Sequence, residues 1–345
     1  MEAAVTNSPR LSATAAATSP EMDSRVIPTV CADLHLVATP SGDQDLITMG
    51  IEVEPSGQSC GALIHGVDFS QELSPAQVSE IRAIWLEHLV VGFPDQDLNC
   101  EQLEQVALHF GVFGEDPYLE GLADHPHIAE IRREADETSS LFADNFHSDW
   151  SFLPVPPVAT LLYGIDIPPV GGDTLFANQQ LAYEALNEET KARIATLKGV
   201  HSARLGYAPT GRYGQDDEGR SMAIVYSEEA MATYSHPLVL THPETGRKGL
   251  FLSGAYTIGI DPTSCEPLEM SEDEARELLM GLFRHQAREE FVYRHRWSPG
   301  MLTMWDNRSV LHAATGGYEG YRRLLQRITI APFGVDHESY QPAGI

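Results

Sequence analysis

The sequence predicts a mixed α and β fold with its strands gathered around a candidate metal site. Three observations carry this reading. Apolar and polar residues alternate after Arg323, capping signals open helices at Ser74-Pro75 and Ser271, and ligand-type residues punctuate strand-like segments of the second half.

Residues 1–46 lack a sustained period and read as a disordered N-terminal arm, with one domain expected over 47–345. The arm's Ala, Ser and Thr content resembles a transit peptide, but Arg10 is its lone early base and Glu2 and Glu21 flank it. A first strand is expected over Ile47–Val53. Ser74 then caps a helix with Pro75 in its first turn, and Val78, Ile81, Trp85 and Leu89 form its buried stripe. The apolar run Leu89–Phe93 reads as a buried strand, and Glu101–Phe110 as a helix stopped by Gly111. Short apolar runs broken by Pro and Gly from 125 to 176 suit strands with long loops. Asn187–Leu197 is helical in pattern, while 203–233 shows no period and reads as a long loop, a candidate lid. Two strands are expected around the turn Pro243–Gly246, and Ser271-Glu272-Asp273-Glu274 is a capping box for a helix to about Arg288. The last third is strand-like near 291–297, 301–305 and 321–331.

At 345 residues, with 42% hydrophobic and 21% charged side chains, the chain has the makeup of a globular protein with a sizeable core. Its net charge of −28, from 50 acidic and 22 basic residues without a basic block, argues against a nucleic-acid partner. No apolar run is long enough for a bilayer, so no membrane partner is expected. Cys31, Cys60, Cys100 and Cys265 lack Cys-x-x-Cys spacing and read as free thiols of a cytoplasmic protein. A homo-oligomer is compatible with the sequence.

The chemistry centres on His147-Ser148-Asp149 and the distant His312. Side chains two apart on an extended segment share a face, so His147 and Asp149 can hold one metal ion. Two imidazoles and one carboxylate match the facial triad of non-haem Fe(II), which leaves positions open for substrate and oxygen. Beyond His312, the alternation places Arg323, Leu325 and Arg327 on one face of a strand, so two guanidinium groups can line the same cavity.

With these motifs the chain resembles the Fe(II)/2-oxoglutarate-dependent dioxygenases of the taurine dioxygenase and 2,4-dichlorophenoxyacetate dioxygenase family. The resemblance runs from about Gly61–Asp68 to about Pro332. It includes His147-x-Asp149, the Gly171-Gly172-Asp173-Thr174 stretch, Trp305-Asp306-Asn307-Arg308 before His312, and the closing arginine pair. It implies a double-stranded β-helix, or jelly roll, with helical insertions. It also implies that His147, Asp149 and His312 hold iron as the catalytic centre, that Thr174 and Arg323 hold the distal carboxylate of 2-oxoglutarate, and that Arg327 faces an anionic group of the prime substrate. Tyr118, Trp150 and Tyr256 are further pocket candidates, though a core position suits Trp150 and a surface position Tyr256 equally. One departure bears on substrate. No histidine lies just upstream of Tyr118, and Ala143 stands four residues before His147 where taurine dioxygenase has an asparagine, so taurine is not the expected substrate.

The activity implied is hydroxylation of a small anionic organic molecule, a sulfonate, sulfate ester, aryloxyalkanoate or other carboxylate. Fe(II), 2-oxoglutarate and O2 are consumed or used, and succinate and CO2 are released; the hydroxylated product can collapse. Desaturation or cyclisation of an amino-acid-like carboxylate is the alternative. Because Asp149 is retained, halogenation is not expected. A zinc hydrolase would need two histidines and a carboxylate with an open position, but no His-Glu-x-x-His or general base is evident. A jelly-roll binding protein with structural metal would want four closed ligands, and no cysteine neighbours the triad. Six further histidines, His65, His201, His236, His242, His285 and His295, are expected in turns or at helix ends.

Overall fold

A computed structural model describes residues 50–333, apart from 216 and 265–269. The expectations for residues 1–46, for the start of the first strand, and for Cys31 and Cys265 lie outside the described residues. The helix opened by Ser74 runs Pro75–His88, with the reciprocal capping box between Ser74 and Gln77. It buries Ile81 and Trp85 and ends where Leu89 turns into the left-handed region at φ 66°, its N–H still donating to the Trp85 carbonyl. The chain thereby reverses directly into the fully buried strand Val90–Phe93.

That strand belongs to a nine-stranded sheet. In order, its members are Glu52–Pro55, Ala62–His65, Val90–Phe93, Leu302–Asp306, Ala159–Asp166, Arg323–Ala331, His125–Arg133 and Gly121–Leu122, with Val112–Phe113 pairing beside Arg323–Ala331. A three-stranded sheet joins Val292–His295, Thr174–Asn178 and Val310–Ala314. Leu162 and Leu325 of the large sheet pack with Phe176 and Val310 of the small one and with Trp305. On the other face of the large sheet, Ile328 and Ile330 join Trp85, Phe110, Ile128 and Met304. The strand Arg323–Ala331 thus separates a core from a site, because its alternate residues serve opposite faces.

The second helix spans Cys100–Phe110, capped by Asn99 with Gln102. Gly111 ends it for a different reason from the one expected. Its φ of 177° is extended, and what requires glycine is space, since a Cβ would lie 2.2 Å from the Ala331 carbonyl oxygen. The helix after Asn187 is shorter than predicted, Glu188–Ile194. The Ser271 helix spans Glu272–Gln286 with its capping box formed. Val239–Thr241 pairs with Lys248–Leu250 across the expected turn, and Tyr234–Pro237 pairs separately with Lys198–His201.

The region 203–233 is not a structureless loop. It forms short helices at Arg204–Tyr207 and Arg212–Gln215 and a 3-10 turn at Glu228–Met231. Tyr207, Tyr213, Met222 and Ala230 are buried with Tyr118, Trp150 and Tyr256. Four-residue helices show no period in sequence, and packing rather than propensity holds them. Four of the histidines are also corrected: His65, His201, His236 and His295 lie in strands, the last three buried with hydrogen-bond partners, whereas His242 stands at the 243–246 turn and His285 near its helix end, as expected. His242 belongs to a charged chain in which Asp306 binds His242 (2.9 Å) and Arg308 (2.7 Å), and Glu244 binds Arg308 (2.9 Å) and Arg82 (2.8 Å). Among the described residues, no helix is long and apolar enough to cross a membrane.

Because Trp85 fills the space between its helix and the large sheet, Trp85→Ala should lower the unfolding free energy by about 3–5 kcal/mol. Urea denaturation measures this, and a loss below about 1 kcal/mol would place the helix outside the cooperative core.

Candidate metal centre

His147 does not sit in a regular strand. It forms a single antiparallel bridge with His312, the N–H of each donating to the carbonyl of the other at 3.0 and 2.8 Å. Such a directly opposed pair sets both side chains on one face. The chain then turns, and Trp150 takes a φ of 43°, a left-handed conformation that is uncommon for a bulky residue and persists only where surrounding bonds enforce it. The turn brings the Asp149 carboxylate back to the two rings. Its Oδ1 lies 3.7 Å from His147 Nε2 and 3.8 Å from His312 Nε2. Ligand atoms of the three buried residues all fall within 4.8 Å of one another, the one such cluster of three or more among the described residues.

The donors fit a divalent metal. His147 Nδ1 faces the Asn145 carbonyl at 2.8 Å, which leaves Nε2 as the ligating atom. Burial pushes both histidines below their ordinary range, His312 down to about 3 with His147 adding to the effect, so both rings are neutral and able to ligate. Burial alone would raise Asp149. The Arg327 guanidinium, then His312 and His147, and the Thr160 hydrogen bond outweigh it and hold the carboxyl well below the usual carboxylate range. Thr160 Oγ1 donates to Asp149 Oδ2 at 2.6 Å and in turn accepts from Asn307 Nδ2 at 2.9 Å. Asn307 Oδ1 accepts from Trp305 Nε1 at 3.0 Å, so this second layer is fully directed.

Two cavities meet at His147, Asp149 and Arg327. The smaller, ≈ 70 Å³, is lined by Thr174, His312, Tyr318 and Arg323. Thr174 Oγ1 accepts from Trp297 Nε1 at 3.0 Å, which leaves its own proton to donate. Arg323 gives one N–H to the Gly172 carbonyl (3.1 Å), while its Nε is buried without a partner. No carboxylate among the described residues pairs with it. Gly172, at φ 68°, admits this arginine, since a Cβ there would lie 3.1 Å from Arg323 Nε. A buried guanidinium without a carboxylate partner, in one cavity with a hydroxyl that has its proton to donate, has the chemistry to receive a carboxylate.

The larger cavity, ≈ 170 Å³, has aromatic walls: Trp150, Tyr207, Tyr213 and Tyr256. Tyr256 is buried, not a surface aromatic, and meets the His147 ring edge to face at 5.9 Å. Tyr118 lines neither cavity. Its ring stacks on Tyr207 at 4.6 Å and so supports the wall from behind, which corrects the sequence expectation. Arg327 stands at the junction as expected, but not free. Its Nη1 bonds the Asp116 carboxylate, its Cζ lies 4.9 Å above the Trp150 ring, and its Nη2 is 3.0 Å from Asp149 Oδ1. That last contact is near enough for charge attraction but too poorly aligned to be a hydrogen bond, so Nη2 retains a buried donor. Burial raises Asp116 above the usual carboxylate range against the opposing pull of Arg327 and Trp150, while its two oxygens accept from three donors, Arg327, Trp150 (2.5 Å) and Thr329 (3.1 Å), and so have no proton of their own to place. It is the ionised partner of Arg327.

Sequence reasoning missed Asp116, Thr160, Trp297 and Tyr207. Asp116 is one of 50 acidic residues, and no local signal marks it. Asn307 stood inside a recognised motif, but its role appears only once Thr160 is beside it.

Two histidines and one carboxylate at the meeting point of two cavities define the class of mononuclear non-haem metal oxygenases. Comparison with known proteins makes this specific. The family described as Taurine catabolism dioxygenase TauD, TfdA family matches residues 52–329. The chain is 30% identical over 284 residues to the (S)-phenoxypropionate/alpha-ketoglutarate-dioxygenase of Sphingobium herbicidovorans, covering 81% of this chain and 94% of that protein. It is 32% identical over 296 residues to the alpha-ketoglutarate-dependent 2,4-dichlorophenoxyacetate dioxygenase of Cupriavidus pinatubonensis, with coverages of 81% and 98%. A solved taurine dioxygenase from Burkholderia xenovorans is similar with a TM-score of 0.66 and 31% identity, over 82% of this chain and 90% of that one. The chain belongs to the TauD/TfdA dioxygenase family; it is a 2-oxoglutarate-dependent oxidoreductase of α+β fold that uses Fe(II), 2-oxoglutarate and O2.

Thr160 orients the carboxylate without touching the cavity. Thr160→Val should therefore weaken Mn(II) or Fe(II) binding by about 10- to 100-fold with the fold retained, as read by metal titration and circular dichroism. Unchanged affinity would show that Asp149 is held by its turn alone.

Proposed function

We propose that His147, Asp149 and His312 hold the Fe(II), that Thr174 and Arg323 anchor the distal carboxylate of 2-oxoglutarate in the smaller cavity, and that the larger cavity receives the prime substrate. One observation carries this reading. The three-ligand cluster lies where two cavities meet, and one of those cavities contains a buried arginine without a carboxylate partner. Loaded with Fe(II), 2-oxoglutarate and O2, the site supplies the oxidising chemistry that places a hydroxyl on a C–H bond. The chain's own contribution is positioning and exclusion of water.

The substrate that these walls suit is a small organic molecule with a flat or apolar body and an anionic group. Aromatic rings receive the body, and Arg327 Nη2 is the donor left for the anion. Aryloxyalkanoates meet this description, and succinate and CO2 are the coproducts. Hydroxylation next to an ether oxygen would let the product collapse. The large and small sheets are read as the two faces of a double-stranded β-helix with helical insertions, and residues 47–345 as one catalytic domain. The family match from 52 to 329 supports both readings.

Adding 2-oxoglutarate to anaerobic Fe(II) protein should produce a visible metal-to-ligand charge-transfer band, and Asp149→Ala or His312→Ala should abolish it. Arg323→Leu should raise the Michaelis constant for 2-oxoglutarate at least tenfold, since loss of a buried charge partner typically costs about 2–5 kcal/mol. An unchanged constant would move the anchor away from Arg323. Arg322 is a poor substitute, because it is already paired with Glu134 and Asp166 at the sheet edge.

A further inference from the structure

The two cavities differ in how their cations are engaged. In the smaller one Arg323 has no carboxylate partner among the described residues. In the larger one both arginines are already matched. Arg327 is held by Asp116 and lies 3.0 Å from Asp149. Arg212, at the wall, forms a two-point bond with Asp144 at 2.7 and 3.1 Å.

A charge count follows for the assembled site. The metal's two positive charges cancel the two negative charges of 2-oxoglutarate, and Arg323 and Arg327 cancel Asp149 and Asp116. The histidines are neutral. Arg132, Arg133 and Arg220, which also line the smaller cavity, are offset by Glu130, Glu137 and Asp217, so the loaded site carries no net charge before the prime substrate enters. Without Asp116 it would carry one positive charge, complementary to a monoanion.

We propose that Asp116 determines the charge selectivity of the prime-substrate cavity, so that aromatic substrates are taken with little preference for a carboxylate over a neutral amide. Three features of the structure support this. Asp116 removes Nη1 from the arginine's fork, so a substrate oxygen meets the single donor Nη2 and not a bidentate pair. Trp150 fixes Asp116 through its indole N–H and forms the wall with its ring, so charge control and the aromatic surface are one unit. Thr329 secures the other carboxylate oxygen from the same strand as Arg327. Asp116 itself lines neither cavity, so it acts through Arg327 as a specificity-determining residue.

This inference rests on assigning the larger cavity to the prime substrate. It is tested by calorimetric binding of phenoxyacetate and phenoxyacetamide to the anaerobic Fe(II)/2-oxoglutarate enzyme, where no turnover occurs. The wild-type protein should bind the two within about threefold of each other, and a carboxylate preference above about thirtyfold would overturn the proposal without requiring any variant. Asp116→Asn keeps an acceptor for Arg327 and Trp150 but removes the charge. For an anion about 8 Å away at an effective dielectric constant of about 20, carboxylate affinity should rise roughly thirtyfold, while amide affinity should change less than about threefold. Equal carboxylate affinity in wild type and Asp116→Asn would overturn the role of Asp116 and leave the proposed function standing. Binding of neither probe to either protein, with the charge-transfer band intact, would overturn the substrate assignment and this inference with it.

Discussion

The site depends on one reciprocal pair of backbone hydrogen bonds, His147 to His312 and back again. A single antiparallel bridge joins segments far apart in the chain and places two imidazoles on the same face without any further device. Only the carboxylate then needs to be delivered, and the tight turn through Trp150 does that at the expense of a left-handed backbone. The strand carrying His312 also pairs with Thr174–Asn178, so the same small sheet that fixes a metal ligand fixes the hydroxyl of Thr174. The proposed metal and cosubstrate positions therefore share one small sheet.

Legibility in the sequence followed the range of the forces involved. Ser74 and Ser271 announced their helices because a capping box is made within four residues. The alternation after Arg323 was legible because one strand face meets the core and the other the site. The triad was legible as a pattern of ligand types, and the family resemblance added roles for Thr174 and the arginines. What escaped was set by packing between distant segments. The short helices of 203–233 are held by Tyr207 and Tyr213 against Tyr118 and Trp150, a cluster with no local period. Asp116 gave no signal, because its partners Arg327 and Thr329 lie more than 200 residues away. The shared-face argument for His147 and Asp149 reached the right juxtaposition through the wrong local geometry, a strand where the chain makes a bridge and a turn.

Buried charge is arranged in two ways in this molecule. Behind the large sheet, buried Asp306 bonds His242 and Arg308, and Arg308 continues through the partly exposed Glu244 to Arg82, a chain in which each group finds a partner. That arrangement fastens the segment leading into Asn307 and asks nothing of a ligand. Inside the cavities the matching is uneven: Arg327 faces two carboxylates, and Arg323 faces none among the described residues. A group left unmatched after desolvation is destabilising in isolation, so its presence is best explained by what binds there.

The hydrogen bond from Thr160 to Asp149 has a consequence for coordination number. A carboxylate with one oxygen committed to a neighbouring hydroxyl has a single tooth left, and here that tooth is Oδ1, the atom nearest both imidazoles. With His147 and His312 as the other proposed ligands, that bond favours a protein contribution of three donor atoms. In a six-coordinate shell half of the positions remain for small molecules. Rocking Asp149 into a two-toothed ligand would require breaking the Thr160 bond and unsettling Asn307 behind it. A threonine outside both cavities would thereby bear on how many small molecules the proposed metal can hold at once.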